Sequence, residues 1–267
     1  MPLPTVRGMQ QTSTASPLEA QACALVVGVG ELEGIGGAVA ARFAQAGLHV
    51  YIVGRTQAKL DTAVAYIRRQ GGQATAVVNS LGGEADVQAI FTQIQRHGHR
   101  LEAVVYNAAY LNMPRRWLGT PPSYIEGNWR LTCLAGILVG QAAARMMLPH
   151  GCGTVIYTGA TASLRGKPLF AAFASAKAAL RAFAGSLALE IAPMGIHVAH
   201  VVIDGMVEGQ RAKGALGGLG RIVMGVVKRR NGALNPTQIA ENYWQIHQQL
   251  SGAWSHELEL RPFKEPF

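Results

Sequence analysis

From Cys23 onward the chain alternates short, nearly unbroken apolar runs with longer segments in which apolar residues recur every three or four positions. Short runs bounded by glycine suit strands buried on both faces, the condition of a parallel sheet covered by helices. They fall at residues 23–29, 48–54, 74–79, 101–107, 154–159 and 196–203, and the segments 34–46, 57–70, 84–97, 125–148 and 170–191 carry the helical period. Thr56 stands where its hydroxyl caps the second helix, and Gly71-Gly72 where the chain leaves it. A further helix is predicted over 236–250 and a last edge strand over 257–260.

This β-α alternation predicts an α/β fold, a Rossmann-type doubly wound parallel sheet of about seven strands with helices on both faces. Between Gly205 and Gly232 glycines and basic residues break the rhythm, so 205–233 is expected to be a mobile loop over the substrate cleft. Residues 1–21 carry Pro, Ser, Thr and Gln without an apolar core and read as a flexible tail. No repeat or linker divides the remainder, so 22–267 is expected to be one domain.

Composition supports this without naming a function. Of 267 residues, 49% are hydrophobic and 32 are glycine, which suits a packed α/β chain with many tight turns. The net charge of +9 invites an anionic partner, but the basic residues are scattered and no compact recognition motif accompanies them, so nucleic-acid binding is not expected. Cys23, Cys133 and Cys152 lack metal-ligand spacing and an even count, and are read as reduced thiols. With no signal-like segment, and no run judged long and apolar enough to span a membrane, the expectation is a cytoplasmic protein without a membrane partner.

After the first strand comes Gly28-Val29-Gly30-Glu31-Leu32-Glu33-Gly34-Ile35-Gly36, leading into an alanine-rich helix. Glycines here let backbone N–H groups approach a pyrophosphate, whose charge a helix N-terminus favours. Glu31 and Glu33 would repel that group, so they are expected to point outward. At the end of the second strand, Arg55 replaces the acid that holds the ribose hydroxyls of NAD, and a guanidinium there pairs with a 2′-phosphate. NADP(H) is therefore favoured over NAD(H), the alternative for Arg55 being an exposed arginine at a helix start.

Over residues 22–260 these features resemble the short-chain dehydrogenase/reductase family. Gly30, Gly34 and Gly36 are similar to its glycine motif, and Asn107-Ala108-Ala109 to its Asn-Ala-Gly segment. Ser80 stands where the family has an Asp contacting adenine, and Asp204-Gly205 stand at its Pro-Gly segment beside the nicotinamide. The resemblance implies a small-molecule substrate, hydride chemistry on a carbonyl, imine or activated alkene, and a homodimer or homotetramer built on the two long helices.

The same resemblance brings a tetrad in which Tyr is the acid, Lys four residues later lowers its pKa, Ser orients the carbonyl and Asn positions a water. Tyr and Lys at i and i+4 share one helix face. Here Lys177 matches the Lys, but Phe173 falls on the Tyr, Ala160 on the Ser and Thr132 on the Asn. A phenyl ring has no proton to give. Thr161, Ser163, Tyr110 and Tyr157 lie in or near segments that line the family's cleft and are the candidate substitutes, the alternative being that Thr161 and Ser163 satisfy a turn and that Tyr157 is a buried strand residue. Asp204 could bond the carboxamide, cap the next loop or act as a base, the structural roles being favoured. Segments such as Ala160-Thr161-Ala162-Ser163-Leu164-Arg165-Gly166 look like a divergent branch in which Phe commonly precedes the Lys by four. His197 and His200, three apart in a strand, face opposite sides and are not read as a metal site. Three readings follow: an oxidoreductase with a non-standard acid, a non-redox lyase, dehydratase or isomerase on the same scaffold, or an inactive cofactor-binding subunit.

Overall fold

The computed structural model describes residues 20–110, 114–208 and 232–264. Seven parallel strands form one sheet in the order β3-β2-β1-β4-β5-β6-β7. They are β1 (Ala22–Val27), β2 (His49–Gly54), β3 (Gln73–Val78), β4 (Arg100–Tyr106), β5 (Gly153–Thr158), β6 (Ile196–Ile203) and β7 (Glu257–Leu260). Helices α1 (Ile35–Gln45), α2 (Gln57–Arg69), α3 (Glu84–Arg96), α4 (Pro122–Trp129), α5 (Ala135–Met147), α6 (Thr161–Leu164), α7 (Ala171–Ile191) and α8 (Pro236–His247) occupy the connections.

The apolar runs bury both faces of the sheet, as their lack of alternation demanded. On one side α1, α2 and α8 cover Ala24, Val26, Ile52 and Val105, with Phe43 meeting Trp244 edge to face at 5.3 Å. On the other, α3, α5 and α7 cover Leu25, Val27, Val104 and Val155. Each fully buried Val, Leu or Ile side chain among them contributes about 1.5–3 kcal/mol. The order reverses between β1 and β4, opening the crevice at the carboxyl ends of the strands where ligands of open α/β sheets bind.

Several expectations need correction. β1 ends at Val27 rather than Val29, because Gly28 turns the chain at φ +95. Thr56 occupies the cap position of α2, but its side chain makes no capping bond. The helix expected over 125–148 runs from Pro122 to His150, widened by a π-turn at Arg130–Leu134. Contrary to the reading that no run is long and apolar enough to span a membrane, these 29 residues are. More than half of the apolar window is buried, against β4, β5 and α7, which is the environment of a core helix. Thr161 and Ser163 belong to the short helix α6 rather than to a turn. The expected tail 1–21, except its last two residues, and most of the expected loop 205–233 lie outside the described residues.

Candidate cofactor and active site

The glycine loop is stitched to its neighbours by backbone bonds. The N–H groups of Gly28 and Val29 both donate to Val53 O, at 2.9 and 2.8 Å, and Asn107 N donates to Val27 O at 2.8 Å. Asn107 Nδ2 reaches Gly28 O at 3.1 Å, locking the β4 end to the loop. Any Cβ on Gly28 would collide with the backbone of Ala108, and its positive φ is itself costly for other residues, so this crossing needs glycine. Ala108 is buried and Ala109 half-buried beneath it.

The loop then runs through Gly30 to Gly34, the residue preceding α1, which caps the helix with no side chain, and the first turn holds no acidic residue. The amides at Ile35 and Gly36 thus head a helix with its positive end unneutralised, a fitting cradle for a pyrophosphate. Glu31 is turned to Lys59 of α2 at 2.8 Å, and Glu33 is exposed. Arg55 is exposed two residues beyond Val53, the residue to which the loop is bonded. Ser80 is exposed with its hydroxyl on Asp86 Oδ2 at 3.1 Å, a carboxylate that also accepts from Gly82 N.

At the other end of the crevice Lys177 of α7 is 3% exposed, and its Nζ donates to Thr158 O at 2.6 Å. Burial pushes its pKa down to about 8. Phe173, one turn earlier, holds its ring centre 5.9 Å from that nitrogen. Thr132 is buried in the π-turn, and its hydroxyl accepts from Tyr110 N at 3.1 Å, so it fixes the chain after β4. Ala160 N donates to Ser163 Oγ at 3.1 Å, which accounts for the burial of that serine. Tyr157 is fully buried with its hydroxyl on Gly136 O, and burial drives its pKa far up. It has no path to a substrate. Tyr110 packs edge to face on Tyr124, 5.5 Å between centres.

Asp204 is buried and bound by the Thr161 hydroxyl, Arg165 and Arg261. Burial alone would raise its pKa, but the Thr161 hydrogen bond and the two guanidinium groups outweigh it and hold the carboxyl below its usual value. Its oxygens fasten α6 and the segment after β7 to the end of β6, and Gly205 follows against Pro262. Sequence reasoning did not anticipate Arg165 and Arg261, whose contact with Asp204 exists only after the chain has folded. A shallow groove open to solvent lies beside Phe173, walled by Trp117, Tyr124, Phe170 and Arg115, the guanidinium lying 4.5 Å from the Tyr124 ring centre. Among the described residues no cluster of His, Cys, Asp or Glu is arranged for a metal.

Fold and site together define a Rossmann-class α/β protein whose glycine loop and buried lysine both lie at the carboxyl ends of the strands. The chain belongs to the short-chain dehydrogenase family, whose model matches residues 22–215. It is 31% identical over 193 residues to "Oxidoreductase asL5" of Sarocladium schorii, covering 70% of this chain and 74% of that protein. It is also 31% identical to human "Dehydrogenase/reductase SDR family member 4", where the match covers 62% of this chain and only 60% of the relative. Among solved structures, a short-chain dehydrogenase from Rhodopseudomonas palustris is 36% identical with a TM-score of 0.76, covering 91% of this chain and 99% of that one.

Proposed function

We propose that this protein is an NADP(H)-dependent oxidoreductase that reduces a carbonyl, imine or activated alkene without the family's usual acid. The observation that carries the reading is Lys177, buried at the carboxyl ends of the strands, as is the glycine loop, while the positions resembling the family's tyrosine and serine hold Phe173 and Ala160. Gly28, Gly30, Gly34, Ile35 and Gly36 would receive the pyrophosphate, Ser80, Asn107, Ala108 and Ala109 would border the adenosine half, and Asp204 and Gly205 would border the nicotinamide. Arg55 supports NADP(H) over NAD(H), because a guanidinium matches a 2′-phosphate with two hydrogen bonds.

When bound, the nicotinamide supplies or accepts the hydride. Lys177 keeps N–H donors beyond the one on Thr158 O and would use them on the ribose hydroxyls. Phe173 contributes shape alone. A substrate whose acceptor already carries positive charge, such as an iminium ion, needs no proton at that atom. The aromatic walls beside Phe173 support an apolar small-molecule substrate, and Arg115 at the rim supports one with an anionic group.

The described residues form one sheet, which favours a single domain. Exposed Ala171, Ala178 and Ala182 on α7, with Leu189 84% exposed, support a homodimer or homotetramer through that helix.

Fluorescence titration of the purified protein tests the cofactor reading. NADPH is expected to bind with blue-shifted nicotinamide emission and NADH more weakly, while absence of binding by either would overturn the proposal. The double change Phe173→Tyr with Ala160→Ser is expected to confer ordinary ketone reduction. Failure of a folded, NADPH-binding double variant to do so would show that more than the acid is missing.

A further inference from the structure

At the amino ends of the strands, away from the crevice, three histidines gather around one tyrosine. Tyr51 of β2 is fully buried, and its hydroxyl oxygen lies 2.6 Å from Nδ1 of His97 and 2.9 Å from Nδ1 of His99. Those two residues stand between the end of α3 and the start of β4, His97 exposed and His99 half-buried. The ring of His49, which opens β2, is centred 4.7 Å from that of His99, and His97 and His99 are 5.8 Å apart. His49 is tied to β3 through Nε2 at 2.8 Å from the Thr75 hydroxyl and Nδ1 at 3.3 Å from Gln73 Oε1.

Counting protons shows what this arrangement tolerates. A phenol carries one hydrogen, and Tyr51 has no other hydrogen-bond partner among the described residues, so it donates to one Nδ1 and accepts N–H from the other. The imidazole that donates can take a further proton at its Nε2 without disturbing either bond. The one that accepts cannot. A second Nδ1–H would then face the tyrosine oxygen, the phenol hydrogen would lose its acceptor, and two imidazolium ions would stand side by side. Nothing nearby offsets that charge: His49 and His99 feel one another, His97 and, from α2, Arg68, while Arg96 closes α3 and Glu102 of β4 is taken by Arg100.

We propose that Tyr51, His97 and His99 form an acid-sensitive latch, which fastens the end of α3 to β2 while the two imidazoles share one added proton or none, and releases it when the second arrives. Burial, together with the neighbouring rings, holds His49 and His99 below the usual histidine value, which favours the closed latch at neutral pH. Behind it lies Cys23, fully buried in the same core cluster as Tyr51 and opposite His49 in the register of β1 and β2. Acid thereby gives access to a thiol that the closed latch seals. The latch involves no group of the crevice, so its failure and a failure to bind NADPH are separate results.

Full-length protein is treated with a dipyridyl disulfide, a thiol reagent that works in acid, and labelling of Cys23 is read by peptide mass against the exposed Cys152 of the same molecule. Opening that binds one more proton gains up to about tenfold per pH unit, so the ratio is expected to rise at least about tenfold between about pH 7 and pH 5 with the circular dichroism unchanged. In the double variant His97→Gln with His99→Gln, whose amides can bond the hydroxyl but take no charge, the ratio is expected to stay flat. A flat ratio in the parent, a rise that comes only with loss of helical signal, or an equal rise in the folded variant overturns the proposal. Should the double variant not fold, the His99 ring is titrated by NMR in the parent and in His97→Gln. Its midpoint is expected about one pH unit higher without the neighbouring imidazole, and an unchanged midpoint overturns the latch.

Discussion

Replacing Lys177 by methionine tests the most costly feature of the molecule. The side chain is 3% exposed, and burial brings its pKa from 10.5 to about 8. That fall of about 2.5 units corresponds to roughly 3 kcal/mol by which folding disfavours the ammonium at neutral pH. Methionine fills similar space without charge, but leaves Thr158 O without its Nζ donor, a loss of about 1–3 kcal/mol. Lys177→Met is therefore expected to be as stable as the parent at pH 7 or up to about 2 kcal/mol more stable, unlike most core substitutions.

The pH dependence is sharper. Above the folded pKa near 8 the native lysine is neutral while the unfolded chain still binds its proton, up to about 10.5. The unfolded state then holds more protons, so Lys177 makes stability rise with pH across this window, by up to about 1.4 kcal/mol per unit. Cys23, raised to about 12 by burial, acts oppositely as the unfolded thiol ionises, but it does so equally in both proteins. Urea unfolding without cofactor at intervals from pH 7 to about 10 measures the difference. Parallel stability curves for parent and Lys177→Met would refute the claim that the lysine is buried with a depressed pKa.

Gly159→Ala should lower stability by about 1–3 kcal/mol, since the new methyl overlaps the His200 ring and can be relieved only by moving a buried side chain, and thermal unfolding by circular dichroism checks it. Asp204→Asn removes the buried carboxylate shared by Arg165 and Arg261, Arg261 keeping Glu259, and should cost about 1–3 kcal/mol in urea unfolding at pH 7. Because the Asp204 pKa is depressed, its contribution is fully present above the ordinary carboxylate range and is lost as pH falls through the folded value, so parent and variant should converge in acid. Arg55→Ala should weaken NADPH binding about tenfold and leave NADH binding nearly unchanged, and equal losses for both would remove Arg55 from 2′-phosphate recognition.

The sequence by itself determined the sheet. Runs such as 101–107 and 196–203 have no polar face to leave in water, so they had to become interior parallel strands with helices above and below. The glycine loop and Lys177 were legible for a similar reason, since their spacing relative to a strand or a helix face is local. That Phe173 cannot itself donate a proton was also legible, because a phenyl ring carries none in any conformation.

Only the tertiary structure decided what those residues touch. That Glu31 turns to Lys59, and that Asp204 is held by Arg165 and Arg261, depends on segments brought together from distant parts of the chain. His200 looked like one of two unrelated histidines in a strand. Its pairing with Glu257 and its place beneath Gly159 follow from the register of β5, β6 and β7, which a pattern of period two along one strand cannot specify.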